Sequence, residues 1–424
     1  MDMKSLDFRP EMPGLRVPIS FMVDDPAPCI NPLYYFERQV RKADAPVIKG
    51  VPIVREIPVD FLDRFVEVVR RWEAKGKFTL LPYPAGLGSI EEGLEGFGKG
   101  EVRRFVAETR DELGPYFDIT PEILTHTLAL DIKSGKLLEV SEHDWSQSQD
   151  RETLAGYIGK ALRILRNVGI DATGVTSPCN FGIRVEEIYA EAISLAQEEI
   201  YGRTFTWYFL HTEGESLPVR PRFTYLDREA GRGVVSVVSG CGDLLWGTME
   251  IRETGEEYIS SLADRYISED GKEGRLVELL ENGSYVVFHT HWQSLFSNGT
   301  EAGLKALDEV LSRIHRAFGG RVVWMKCGEL AGYFAAAETV ETKAELGVDG
   351  VYLHLKTPFP CPGFTLSLAL EEIEEVEVIG RKVLKEVVKE GWLEEGTWRM
   401  REGRVYICLD LEREATIALK GKRG

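Results

Sequence analysis

The sequence has few basic residues relative to acidic ones, and it has no long apolar run. Its 51 lysines and arginines stand against 69 aspartates and glutamates, which gives a net charge of −18. Such an acidic chain is repelled by nucleic acid and by anionic membranes, so we expect neither as a partner. No segment is apolar over the length that a bilayer requires. The start, MDMKSLDFRPEMPGL, lacks the apolar centre of a secretory signal, and we therefore expect a cytoplasmic protein.

Several common site motifs are also missing. The six cysteines include no CxxC pair, so the sequence predicts neither a zinc ribbon nor a redox motif. No GxSxG and no P-loop occurs, which argues against an α/β-hydrolase nucleophile and against a nucleoside triphosphatase. Hydrophobic residues make up 43% of the chain and charged residues 28%, a composition typical of globular domains.

What the sequence does contain is a repeated alternation of strand and helix patterns. VPISFMV, Val17–Val23, indicates a buried strand, and the following VDFLDRFVEVVRRWEAKG places Phe61 and Phe65 on one helical face before Gly76. Seven or eight such units follow one another up to residue 346. Parallel strands need connections of helix length, so we predict an α/β fold in which residues 1–346 form a (β/α)7-8 barrel.

The pattern changes near Gly347. Short strand patterns separated by turn residues follow, with one helix pattern over 381–391, RKVLKEVVKEG. Residues 347–424 are therefore predicted to form a small β-rich accessory domain.

Polar residues of unusual kinds fall where the predicted strands end. ISFMVDDPAP ends the first strand in Asp24 and Asp25, His126 lies near the end of the third, and VVFHTH ends the seventh in His289 and His291. Strand periodicity points these last two histidines to the same side. Since the carboxyl ends of barrel strands meet at one face, we expect these side chains to line one mouth.

A metal ion would explain why two carboxylates lie side by side there. Adjacent anions repel each other, and a divalent cation removes that repulsion. Imidazole and carboxylate ligands together suit zinc or a similar ion. The alternative for Asp-Asp-Pro is an ordinary turn. EHDW, with His143 and Trp145, is either a solvated loop or part of the ligand platform.

With these motifs the chain resembles the polysaccharide deacetylase superfamily of carbohydrate esterases and related glycoside hydrolase barrels, over roughly residues 15–335. It also resembles bacterial barrel proteins of unassigned activity. FMVDDP is similar to the first motif of the superfamily, which implies that Asp24 is the base and Asp25 a metal ligand. THTLALD is similar to the HxxxH motif, with His126 as its first histidine and Leu130 at the second position.

Two further stretches carry the resemblance. VTSPCNFG lies where the superfamily has an arginine-containing substrate loop; it lacks the arginine, and it implies that Ser177 and Asn180 contact substrate. VVFHTH is similar to the final motif, which implies that His289 is the general acid and His291 its neighbour or a metal ligand. Either His143 or His291 could replace the histidine that is missing from the HxxxH pair.

These residues predict a hydrolase that depends on a divalent metal, zinc by ligand type, and that deacylates a carbohydrate or a related small molecule. Tyr83, Trp145 and Trp292 would stack on sugar rings. One alternative is a glycoside hydrolase that uses one of the paired aspartates with Asp243. Another is a sugar-binding protein that has lost the metal and has no catalytic activity.

Overall fold

The computed structural model describes residues 6–389 and 391–421. The helices are α1 Pro32–Gln39, α2 Asp60–Trp72, α3 Lys99–Glu108, α4 Glu142–Ser146, α5 Arg151–Asn167, α6 Glu186–Tyr201, α7 Glu256–Asp264, α8 Arg275–Glu281, α9 Trp292–Phe296, α10 Ala302–Phe318 and α11 Cys327–Thr339. The strands up to residue 324 are β1 Arg9–Pro10, β2 Val17–Asp24, β3 Val47–Ile48, β4 Val51–Pro52, β5 Gly76–Leu80, β6 Phe117–Pro121, β7 Leu128–Asp131, β8 Lys136–Ser141, β9 Gly174–Thr176, β10 Phe205–Thr212, β11 Arg222–Asp227, β12 Arg232–Ser239, β13 Val286–His291 and β14 Val322–Trp324. The strands after residue 340 are β15 Glu341–Leu346, β16 Gly350–Lys356, β17 Cys361–Ala369, β18 Ile373–Val378, β19 Lys382–Val383, β20 Lys385–Glu386, β21 Thr397–Arg401, β22 Arg404–Leu411 and β23 Glu414–Gly421.

Parallel strands form two central sheets. One contains β13, β2, β5 and β6 in that order, with β14 also paired to β2; the other contains β9, β10 and β12, with β11 antiparallel at its edge. Two isolated parallel bridges, Glu122 to Thr176 and Cys241 to Phe288, join the sheets near the carboxyl ends of their strands. The mixed α/β class is therefore confirmed, and the polar strand ends of both sheets lie on one side.

The central strands form because their residues are apolar on both faces. Seven of the eight residues of β2 are buried, and α2 covers the sheet with Phe61 and Phe65. Gly76, which the sequence pattern suggests as a helix stop, begins β5. A Cβ atom there would lie 1.7 Å from the carbonyl oxygen of Phe21, so close strand packing requires the glycine.

Two five-stranded sheets follow α11. One runs β15-β16-β23-β18-β19 and the other β1-β17-β22-β21-β20, and they enclose an apolar core that includes Leu353, Phe364 and Ile407. Strands from both sides of residue 347 contribute, because β1 pairs with β17 and β15 pairs with β16. The division into domains 1–346 and 347–424 stays a prediction.

The helix expected over 381–391 does not form in the part of this segment that the structure describes. The backbone there makes the short strands β19 and β20, in which Leu384 N–H donates to Val376 O and Lys385 N–H to Gly396 O. Pairing with neighbouring strands has overridden the helical periodicity. Across the described residues, no helix has the length and apolar character needed to cross a membrane.

Candidate active site

The carboxyl ends of the central strands surround a cavity of about 650 Å³. Its walls include both aspartates that follow β2, the histidines at the end of β13, and residues of the loops after β6 and β9. A volume in this range suits a small-molecule ligand. Two clusters of carboxylates and imidazoles lie in it, one formed by Asp25, Glu122 and His126 and the other by Asp24, His289 and His291.

The first cluster is a set of three closely spaced potential ligands. His126 Nε2 lies 2.7 Å from Asp25 Oδ1 and 3.3 Å from Glu122 Oε1; both carboxylates are buried, and the His126 side chain is 11% exposed. Asp25 and His126 both have positive φ, 70° and 61°, which turns their side chains into the cavity at some cost in backbone strain. The backbone N–H of Asp25 donates to Glu122 Oε2 at 2.7 Å and fixes the second carboxylate.

This cluster fits a divalent cation. Asp25 Oδ1 is buried and, within the described residues, accepts no hydrogen bond, because His126 Nε2 approaches it outside hydrogen-bond geometry. A buried carboxylate oxygen without a donor is costly, and a shared metal ion is what would satisfy it. One imidazole and two carboxylates form a donor set suited to zinc with an open position.

The cluster is electrostatically unbalanced without a cation. Burial and the neighbouring Asp25 raise the pKa of Glu122 to about 6. Burial would also raise the pKa of Asp25, but the attraction of His126 outweighs it and lowers that pKa. Burial opposes a charge on His126, yet the two carboxylates raise its pKa well above the usual value. A proton on His126 therefore offsets only one of the two neighbouring negative charges.

A buried carboxylate holds the loop that carries His126. Glu142, at the start of α4, accepts the backbone N–H groups of Leu124 at 3.2 Å, Thr125 at 2.9 Å and His126 at 2.8 Å. The hydroxyl of Tyr157 donates to the same carboxylate at 2.7 Å. Four donors on one anion fix the loop tightly, so Glu142 positions His126 without being one of the clustered ligands.

The second cluster contains an ion pair in the protein interior. Lys77, on β5, is 0% exposed, and its Nζ donates to Asp24 Oδ1 and, at 3.1 Å, to Thr176 Oγ1. The ammonium also lies 4.6 Å from the ring centroid of Phe209. A buried ammonium requires an anion, so the pair fixes the direction of the Asp24 carboxylate.

The two histidines of this cluster differ in protonation. Burial lowers the pKa of His291, but its hydrogen bond to Asp243, Nδ1 to Oδ2 at 2.7 Å, and the nearby carboxylates raise it to about 9. Burial lowers the pKa of His289 to about 4, and its Nδ1 lies 3.0 Å from Ser239 Oγ. At neutral pH, His291 carries the proton and His289 does not. The resemblance stated above implied instead that His289 is the general acid and His291 its neighbour or a metal ligand.

Asp243 is the carboxylate whose hydrogen bond raises the pKa of His291. It also accepts hydrogen bonds from Thr290 Oγ1 at 2.8 Å, Ser294 Oγ at 2.6 Å and the Leu245 N–H at 2.8 Å. With its oxygens so engaged, this carboxylate is poorly placed to act as a glycosidase acid or nucleophile.

The structure brings most of the sequence-predicted residues together. Asp24, Asp25, His126, His289 and His291 meet in the two clusters. The cavity wall also contains His143, Ser177 and Asn180. His143 belongs to neither cluster; its ring stacks on Phe36 at 6.2 Å, and Asp144 is its nearest carboxylate partner at 3.6 Å.

The predicted aromatic platform is not in this cavity. Trp292 is 0% exposed and packs against Phe61 and Phe65, so the prediction that it binds substrate is wrong. The reason is that α9 begins at this residue and turns its side chain into the core. Tyr83 is half-buried against the core, and Trp145 packs on Tyr157 beside a different groove.

Sequence reasoning missed Glu122, Lys77, Glu142 and Gln293, whose Nε2 donates to Asp25 Oδ2. One signal was available for Glu122. The four-residue spacing of the HxxxH motif occurs between Glu122 and His126, so the second ligand lies before His126 in the chain. The resemblance placed the missing histidine after it, at Leu130. The buried Lys77 had no comparable signal, since charged strand residues are normally exposed.

No protein-family model and no curated protein matches the chain. Among solved structures it is similar to a Mycobacterium smegmatis protein assigned as a polysaccharide deacetylase, with 11% identity and a TM-score of 0.44 over 78% of this chain and 94% of that one. It is also similar to a mutant of BA3943, a CE4 family pseudoenzyme with restored activity (9% identity, TM-score 0.36, 76% and 70% coverage). A third similar structure is a GH57-type branching enzyme from Pyrococcus horikoshii (12% identity, TM-score 0.41, 74% and 69% coverage). The resemblance to polysaccharide deacetylases is remote.

Proposed function

We propose that this protein is a metal-dependent hydrolase that removes an acyl group from a carbohydrate or a related small molecule. The observation that carries the proposal is that one cavity holds two groups. One is a three-ligand cluster in which the buried Asp25 Oδ1 accepts no hydrogen bond, and the other is an aspartate–histidine cluster. We also infer that seven of the eight parallel strands, all except β14, close into a barrel through the two bridges between the sheets.

Asp25, Glu122 and His126 would hold the metal, and zinc is the ion that this donor set favours. When bound, the ion supplies Lewis-acid polarisation of an acyl carbonyl and makes water more acidic. Glu122 thus takes the place that the sequence left to His143 or His291. The sugar-binding alternative without a metal loses its main support, because the ligand set has three members.

Proton transfer is assigned to the second cluster. Hydrolysis breaks the bond between the acyl carbon and its nitrogen or oxygen; the hydroxyl of water joins the acyl carbon, and one proton reaches the leaving atom. Asp24, held in position by Lys77, accepts the proton from water. His291, kept protonated by Asp243, donates one to the leaving atom. Such acid–base steps typically contribute about 10²–10⁴-fold each.

The test is metal content together with acyl release. Purified protein equilibrated with zinc and then dialysed should retain one ion per chain by elemental analysis, and Asp25→Asn and Glu122→Gln should lose it. Asp171→Asn, an exposed aspartate elsewhere, is the matched control. Asp24→Asn should retain the metal and lose at least about 10²-fold in acetate release from an acetylated amino sugar. Wild-type protein that retains no metal, or that with metal releases no acyl group from any acetylated sugar, contradicts the proposal.

A further inference from the structure

A single excursion of the chain crosses the mouth of the cavity. It leaves the loop after β2 at Asn31 and returns at Arg55, where the Asn31 N–H donates to the Arg55 carbonyl at 3.0 Å. Residues 32–54, which contain α1 and the β3–β4 hairpin, are called the cap below. The cap residues that line the cavity include the apolar Leu33, Phe36, Val47, Ile48 and Ile53 and the charged Glu37, Arg41 and Lys49.

On the side of the proposed metal ligands, the cap contacts the loops after β5 and β6. The Phe36 ring stacks on His143 at 6.2 Å and meets the His126 ring edge-on at 6.4 Å. Gln39 Nε2 donates to the Ala85 carbonyl at 2.9 Å. The first half of the cap is therefore fixed next to the first cluster.

The second half of the cap is tied to the far wall. At the hairpin tip, Lys49 Nζ lies 2.7 Å from Glu250 Oε2, in the segment that follows β12. Behind it, the Val54 N–H donates to Asn298 Oδ1 at 3.1 Å, and Asn298 Nδ2 donates to the Met249 carbonyl at 2.8 Å. Asn298 is 5% exposed, so this joint between three segments lies in the interior.

One side of the mouth has no such tie. Within residues 6–389 and 391–421, no hydrogen bond or ion pair joins the cap to the loops after β9 and β10. The exposed residues Cys179 and Asn180 line the cavity on that side, as does Thr212. The cap thus covers the cavity, and the cavity is open beside the loops after β9 and β10.

From this geometry we infer that the site takes a short acylated saccharide, or the acylated end of a longer one, and excludes the interior of a polysaccharide. The inference rests on the proposed function. A chain that continued in both directions from the reacting unit would have to pass through the cap, whereas a terminal unit enters from the open side. The aliphatic side chains of the cap present an apolar surface to the C–H face of that unit.

The experiment compares zinc-loaded wild-type protein on an N-acetylated amino-sugar monomer, its short oligomers and a soluble polymer of the same sugar. Mass spectrometry of the products gives the position of each lost acetyl group. We expect release from the monomer and from one chain end, with interior units intact. Acetate release from interior units at the rate of the end unit overturns the inference and leaves the proposed function standing. Release from no substrate overturns the proposed function, and the inference with it.

Variants of the cap give a second measurement. Lys49→Ala removes an exposed ion pair, which should raise the ratio of interior to terminal release by up to about fivefold. Replacing the hairpin, residues 47–52, with a short glycine-serine turn should raise the ratio further. Lys343→Ala, which removes an equally exposed lysine and its pair with Glu345 in β15, should leave the ratio unchanged. A ratio unaffected by both cap variants means that the cap does not exclude polymers.

Discussion

Lys77 is a buried ammonium whose only carboxylate partner in the described structure is Asp24. Removing one member of a buried pair leaves the other charge uncompensated, which typically costs about 3–5 kcal/mol. We therefore predict that Lys77→Met lowers the free energy of unfolding by about that amount, measured by urea denaturation. The methionine side chain is similar in length to lysine and apolar, so it keeps the packing against Phe209.

The double variant Lys77→Met with Asp24→Asn separates charge from packing. With the carboxylate neutralised, most of the lost stability should return, and the two changes should be strongly non-additive. Additive effects would mean that the loss in Lys77→Met comes from packing and that Asp24 does not depend on Lys77.

Single site residues were predictable from the sequence where they directly follow the apolar pattern of a strand. Asp24, Asp25, His289 and His291 follow directly from apolar runs that stop at the cavity. Lys77 was not predictable, because its burial depends on the anion Asp24, which lies on another strand. Trp292 was misassigned because the sequence carries no signal that α9 begins at this residue and turns its side chain into the core.

At the scale of elements, the loop between β6 and β7 depends on α4 through Glu142. Glu142→Gln keeps the size of the side chain but replaces an anion that accepts three N–H groups with a neutral amide. Groups that orient a metal ligand typically change metal affinity by about 10–100-fold, and we predict a loss in this range. Competition with a chromogenic chelator measures it.

Two comparisons make this prediction specific. Glu139→Gln, on the exposed side of β8, should leave metal affinity unchanged. Tyr157→Phe removes one of the four donors to Glu142 and should give a smaller loss than Glu142→Gln. Unchanged affinity in Glu142→Gln would show that the loop keeps its shape without the anion.

The elements themselves were predictable to different degrees. Long amphipathic helices such as α5 and α10 follow from their 3.6-residue periodicity and defined ends. The segment 381–391 has the same periodicity in a region where neighbouring strands offer backbone partners, and local pattern does not report such partners. The cap was unpredictable because its position depends on contacts with four separate loops.

At the scale of the whole molecule, alternating strands and helices predicted the α/β class because parallel pairing requires such connections. The participation of β1 in a sheet with β17 could not be predicted. Arg9 pairs with Ser367 across more than three hundred residues, and the two-residue strand has no periodicity of its own. Long-range pairing of this kind is determined by the packing of the whole chain.

Asp118 contributes to the pH dependence of stability of the whole molecule. It lies on β6, and its Oδ2 accepts the Gly328 N–H of α11 at 2.6 Å. Burial, only partly offset by that hydrogen bond, raises its pKa from 3.8 to about 6. The native state therefore holds this proton more tightly than the unfolded chain, and its contribution to stability, present below pH 4, is lost as pH rises through about 6.

Asp118→Asn keeps an acceptor for Gly328 without the charge. We predict that it is more stable than wild type by up to about 3 kcal/mol at pH 7, with the difference vanishing below pH 4, in urea unfolding at a series of pH values. If the variant is instead less stable at pH 7, the amino end of α11 stabilises the ionised carboxylate and burial does not govern this group.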